Sequence, residues 1–168
     1  MTQNDSPPVY ALTLWQPWAS AIIYGPKRVE NRPWAPWASI IGQRIWIHAS
    51  ATYDVKSHQL VVETWKATGP VPDAKVLTPA KAILGILGCA RVLGWAGMES
   101  RGHLSESEAA MVRRDPWWGG PLGWYLGDVV ALPEPIPCRG KQGLWRPDPE
   151  VQARCEEALR GNPGARTI

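Results

Sequence analysis

Between Trp15 and Arg32 the chain gathers three kinds of side chain that can do chemistry: the indoles of Trp15 and Trp18, the amide of Gln16, and the ionic groups of Lys27, Glu30 and Arg32. A carboxylate beside a water can act as a general base, and an ammonium nearby can stabilise an oxyanion. Indoles and a guanidinium suit a different task, stacking on a base and pairing with its edge or its phosphate. The first task makes Lys27 and Glu30 catalytic. The second makes Trp15, Gln16, Trp18, Lys27, Arg32 and His48 a nucleic-acid-binding set. The bland alternative is an ion-pair network that braces a strand against a loop. In a regular strand Lys27 and Glu30 lie on opposite faces, so their pairing requires a bend.

The elements that must position these groups are short. Tyr10 to Trp15 alternates as a strand. Pro17 suits the first helical position, which puts Gln16 at the N-cap, and Gly25 suits the position past the helix end. The spacing predicts a helix over Trp18 to Tyr24, whose free N–H groups would attract an anion or a polar base edge. Lys27 to Arg32 reads as an extended segment, and Pro33 to Gly42 as a Pro/Trp-rich loop. Arg44 to Ala49 is a strand with Ile45 and Ile47 on one face and Arg44, Trp46 and His48 on the other. His48 is either a satisfied buried histidine or part of a polar wall. Trp34 and Trp37, and Trp117-Trp118 before Gly119-Gly120-Pro121, are candidate lids, and adjacent indoles in a Gly-rich loop imply that at least one is exposed or interfacial.

Further along, Thr52 or Asp54 can cap a helix to about Ala67. Ala82 to Val92 reads as a bent strand, because Gly85 and Gly88 interrupt an apolar, β-branched run. Ser105 and Glu108 form a capping box that opens a helix to about Arg114. Leu122 to Leu132 is a strand pair or one long strand, after which Pro133, Pro135 and Pro137 imply an edge or loop. Gly143 to Trp145 is a last short strand, and Pro149 to Arg160 a helix. The organisation is a polar segment 1–8 expected to be disordered, a domain over 9–148, and a C-terminal helix and tail over 149–168. Separate helices and strands with many Gly and Pro corners argue α+β with a small mixed β-barrel rather than a parallel βαβ sheet.

A chain of 168 residues is one domain long. Eleven Trp with no Phe means that indoles take over much of the core as well as any site. The net charge of +3 permits nucleic-acid binding without demanding it, and Arg113-Arg114 and Arg139-Gly140-Lys141 are the tight basic groups. Cys89, Cys138 and Cys155 are widely spaced, so neither a disulfide framework nor a zinc site is indicated, and free thiols fit a reducing cytoplasm. No second His or carboxylate stands at metal spacing from His48. Gly85, Gly88 and Gly94 lack any phosphate-binding pattern, so no cofactor is expected. The N-terminus carries no apolar signal core and no run reaches the length of a membrane span, so a cytoplasmic protein without a membrane role is expected.

Gln16-Pro17-Trp18-Ala19, Gly25, Lys27 with Glu30-Asn31-Arg32, and Gly42 with Ile47-His48-Ala49 resemble the ASCH family, named for homology to the activating signal cointegrator. The later block Gly123-Trp124 through Pro137-Cys138, Gly140 and Gly143-Leu144-Trp145 resembles the longer bacterial and phage members. The resemblance implies a PUA-like fold and a role with RNA or a modified nucleotide; DNA is the further candidate partner, and the sequence leaves the choice between RNA and DNA open. Some small members are amidohydrolases of N4-acetylcytidine whose pattern is similar to Gly-x-Lys-x-x-Thr-x-Arg. Lys27 and Arg32 match it, but Glu30 stands where the Thr would be, which removes the hydroxyl nucleophile. The expectation is therefore a nucleic-acid-binding module. An amidohydrolase of N4-acylated cytidine using Glu30, and a Trp-mediated protein-interaction module, are the alternatives. The sequence sets no oligomeric state.

Overall fold

The computed structural model of the chain describes residues 6–70, 77 and 83–162. Its strands are β1 (Ala11–Gln16), β2 (Val29–Arg32), β3 (Arg44–Tyr53), β4 (Gly85–Gly97), β5 (Arg101–Gly102), β6 (Leu122–Ile136) and β7 (Leu144–Trp145). The helices are α1 (Trp18–Ile23), α2 (His58–Thr68), α3 (Glu106–Arg114) and α4 (Pro149–Arg160), with one 3-10 turn at Ala38–Ile40. The strands form one mixed sheet in the order β2-β6-β4-β3-β1-β7, with β5 beside β4. The β1–β3 pair is parallel and the other pairs are antiparallel. The α+β class read from the sequence holds. The barrel does not close: among the described residues no ladder joins β2 to β1 or β7, and the sheet stays open there.

β3 explains how one sheet serves two apolar layers. Ile45 and Ile47 join Leu12, Leu14 and Ile22 of α1 in one cluster. Trp46, on the other face, packs with Cys89, Trp145 and Cys155 of α4, and its indole N–H donates to Gln152 at 3.0 Å. Trp46 is thus core and not part of a polar wall. A third cluster holds Val61 and Trp65 of α2 with Ala109 and Val112 of α3. Burial drives the Cys thiols up, to about 11 for Cys89 and about 12 for Cys155, so both are inert packing groups.

β4 is bent as its glycines suggested. Its register with β6 shifts three times, and a Cβ at Gly88 would collide with the Val130 carbonyl. The largest shift also corrects the reading of the prolines. Ile86 pairs with Ile136 and Gly88 with Ala131, so Pro133 and Pro135 fall in a bulge where no ladder N–H is required. The strand therefore continues through them. The Ser105 capping box is formed, with Ser105 N donating to Glu108 at 2.7 Å. α2 begins at His58, later than expected, and its N-cap Ser57 makes no side-chain cap bond. Asp54 instead accepts from Ser57 N, ordering the turn before the helix.

The N-terminal segment expected to be disordered lies outside the described residues over 1–5, as do Ala82 and the tail over 163–168. Neither indole of the Trp117-Trp118 pair is fully exposed. Trp117 is 5% exposed and Trp118 half-buried, both packed on the α2–α3 cluster. Asn31 holds their loop by donating to the Trp117 carbonyl and accepting from Gly119 N, each at 2.8 Å. Gly123 has no Cβ, and the Trp118 ring lies against it.

Candidate functional site

The opening in the sheet is where the ionic residues gather. Thr13, Leu14 and Trp15 of β1, Trp18 of α1 and Glu30, Asn31 and Arg32 of β2 enclose a cavity of about 260 Å³. Glu30 and Arg32 share a face of β2 by the strand's period of two. Arg32 reaches across the opening and donates to the Thr13 carbonyl at 3.0 Å, while its Nε lies 3.2 Å from Glu30 Oε1.

Lys27 precedes β2 and turns back, which supplies the bend that pairing required. Its Nζ donates to Glu30 Oε2 at 2.8 Å and to the Val29 carbonyl. The Lys27 side chain has 0% exposure. It sits behind Glu30 and does not line the cavity. Its position is that of a brace, and the oxyanion role drawn from the sequence has no open path to a ligand. Glu30, 7% exposed, is the carboxylate that reaches the cavity, bracketed by two cations.

At the helix start one free N–H is already taken by a side chain. Pro17, expected at the first helical position, is the N-cap residue. Gln16 is buried, and its Oε1 accepts from Ser20 N at 3.1 Å while its Nε2 donates to the Ile83 carbonyl at 2.8 Å. Gln16 thus consumes a helix N–H and ties α1 to the segment before β4, and it does not line the cavity. Gly25 is required for packing, since a Cβ there would strike Trp65. Arg28 donates to the Ile22, Gly25 and Lys27 carbonyls and so closes the helix end.

Two indoles meet at the cavity under different constraints. Trp18 is half-buried; its N–H donates to Asp54 at 3.2 Å and the Lys27 ammonium lies 5.7 Å from its ring centre. Hydrogen bonds from Ser57, then from Trp18, hold the Asp54 carboxyl below the usual range. Trp15 is 56% exposed, with its ring open to solvent at the cavity mouth. Trp34 sits edge-on to Trp124 at 4.8 Å, and Trp37 edge-on to Tyr10 at 5.4 Å, away from the cavity. Trp34 lines a neighbouring groove, held edge-on against Trp124.

Thr13, Trp15 and Arg32 also border a second, larger groove of about 710 Å³. Its floor is β3, where three residues, Ser50, Ala51 and Thr52, stand between the paired Ala49 and Tyr53 against the single Trp15 of β1, so that they bulge into the wall. Its far lip is the loop from Cys138 to Gly143. His48, 2% exposed, belongs to this groove and not to the cavity. Its Nε2 lies 3.1 Å from the Cys138 carbonyl, which fixes Nε2 as the protonated nitrogen and leaves the buried Nδ1 without a partner among the described residues. Burial pushes the His48 pKa down, and the Cys138 carbonyl offsets this in part. Neutral His48 therefore anchors the loop. Gly140 completes the contact, since a Cβ there would collide with His48 and with Thr13.

The structure brings Trp15, Trp18, Glu30 and Arg32 together. It places Lys27 and Gln16 behind them and His48 in the adjoining groove. Thr13, Asp54, Arg139 and Lys141 were not among the expected site residues. Arg139 and Lys141 were visible as a tight basic pair flanking a glycine, whereas Thr13 acts through its backbone carbonyl and leaves no sequence signal. No helix among the described residues is long and apolar enough to cross a membrane.

The ASCH domain family model matches residues 12–121 of the chain. Among solved structures the chain is similar to an ASCH protein from Zymomonas mobilis, 20% identical, with 89% of this chain and 94% of that chain covered at a TM-score of 0.47. Two single-residue variants of the same Zymomonas mobilis protein match at 17% and 18% identity, each over 88% of this chain and over 94% and 96% of theirs, with TM-scores of 0.47 and 0.46. No curated protein matches.

Proposed function

We propose that this chain, which belongs to the ASCH domain family, binds single-stranded RNA by seating one unpaired base in the cavity between β1 and β2. The ASCH domain is a PUA-like fold often associated with RNA binding, and that is the general support. The particular support is one observation: a cavity lined at once by an indole, an acceptor and a donor. Trp18, fixed by Asp54 and Lys27, supplies a rigid stacking surface. Glu30 accepts from an amino or imino group of a base, and Arg32 donates to a carbonyl or ring nitrogen. At about 260 Å³ the space lies below the span of about 300–1,000 Å³ typical of drug-sized ligands, in keeping with a single base. Lys27 and Gln16 act through the residues they hold.

The test is a titration of labelled single-stranded RNA at two salt concentrations with wild type and Trp18→Ala. Binding that weakens with salt, and weakens further in the variant, is the expected result. No binding at low salt sinks the reading.

A second reading, hydrolysis of an N4-acylated cytidine, is supported by the bracketed Glu30 carboxylate at the cavity wall. In that case Glu30 activates a water, and the oxyanion is met by Arg32, since Lys27 is enclosed. Release of cytidine from a panel of N4-acyl cytidines tests it.

A further inference from the structure

We infer that the groove beside the cavity holds the phosphodiester backbone next to the seated base, so that the ligand is an oligonucleotide of at least two residues and not a free nucleoside. This groove role rests on the proposed base site and extends it.

Charge points to it first. Arg32, Arg139 and Lys141 all border the groove, and among the described residues no Asp or Glu lines it. The carboxylate of the site, Glu30, opens on the small cavity instead. Arg139 and Lys141 are exposed and form no ion pair among the described residues. Two such cations facing a groove without anions make a track for phosphates.

Rigidity points the same way. A basic loop binds well when its charges are already in place. Here the loop is pinned at Cys138 by His48 Nε2 and lies directly on Thr13 and His48 at Gly140. Arg139 and Lys141 flank that contact point and are thereby held at the lip.

The two spaces also adjoin. Thr13, Trp15 and Arg32 border both, so a base in the cavity and a phosphate in the groove would lie on either side of the same three residues. The exposed Trp15 indole stands at the step, with the exposed Leu84 on the same groove. A second base can stack on Trp15 while its phosphate meets the lip.

The experiment compares nucleosides with tetranucleotides on the full chain. Calorimetry measures the four ribonucleosides, and anisotropy measures labelled rA4, rC4, rG4 and rU4 from 50 to 200 mM salt. The variants are Arg139→Ala/Lys141→Ala and Trp18→Ala. The double variant is expected to lose about tenfold or more in tetranucleotide affinity at 50 mM salt. Its slope of log K against log salt is expected to flatten by about 1.4, since single strands give about 0.7 per neutralised phosphate. Its nucleoside affinity should stay at the wild-type level. Trp18→Ala should weaken both ligand classes. If the double variant binds tetranucleotides with wild-type affinity and slope while Trp18→Ala loses them, the groove is overturned and the base site stands. Tetranucleotides that bind wild type no tighter than nucleosides overturn the groove in the same way. If nothing binds wild type, the base site fails and the groove with it.

Discussion

The Arg32 guanidinium donates to the Thr13 carbonyl across 3.0 Å and so ties β2 to β1 where, among the described residues, no ladder bond does. This one contact spans the gap that keeps the sheet from closing, and the cavity lies beside it. Closure by strand pairing would have consumed the space. Closure by a side chain leaves it open, with a donor and an acceptor in its wall.

Arg32→Lys keeps the charge and loses the planar fork, so one group can no longer serve both Thr13 and Glu30. The variant should lose about 1–3 kcal/mol of stability in urea titration and bind single-stranded RNA more weakly. Wild-type values for both would mean that the bridge has no role in holding the site open.

Lys27→Met leaves Glu30 short of its buried partner. Breaking a buried pair on one side costs about 3–5 kcal/mol, because the remaining charge stays desolvated. Lys27→Met/Glu30→Gln should recover much of that loss. A single variant as stable as wild type in urea would remove Lys27 from the role of brace.

Trp18→Ala and Trp65→Ala should separate binding from folding. Trp65 lies against Gly25 in the α2 cluster, and its removal should cost about 3–5 kcal/mol of stability. Trp18→Ala should mainly cost RNA affinity, about 1–3 kcal/mol for the lost stack. Equal losses of affinity in variants checked for folding would take Trp18 out of the site.

His48 makes stability depend on pH with a definite sign. Its folded pKa is lowered, so below about 6.5 the unfolded chain binds a proton that the folded chain resists. The contribution is fully present above that value and is lost as pH falls toward the folded pKa. Urea midpoints of wild type at pH 7.5 and 5.5 should differ by more than those of His48→Gln. Identical pH dependence in the two proteins would show that the loop anchor does not titrate as its burial requires.

If wild type releases cytidine from an N4-acyl cytidine, Glu30→Gln should lower kcat by about 10²–10⁴, the span of a lost general base. Chromatography of the product nucleoside reads the outcome. Turnover unchanged in Glu30→Gln would assign the chemistry to another group.

The sequence by itself determined whatever depends on neighbours a few residues apart. The capping box at Ser105, the limits of α4, the two-sided β3 and the bend in β4 all follow from local periodicity, caps and glycine placement. The clustering of Lys27, Glu30 and Arg32 was legible for the same reason, since three ionic groups within six residues cannot be far apart. What each of them faces was not legible. Partners set that at long separation: Thr13 for Arg32, Trp117 for Asn31, Cys138 for His48. The burial of Lys27 behind Glu30, the packing of Trp117 and Trp118, and the division of the site into a cavity and a groove all come from how the sheet curls without closing. A strand's own residues fix which of its faces is apolar. Whether its edge meets another strand, a side chain or empty space depends on the whole path of the chain between them.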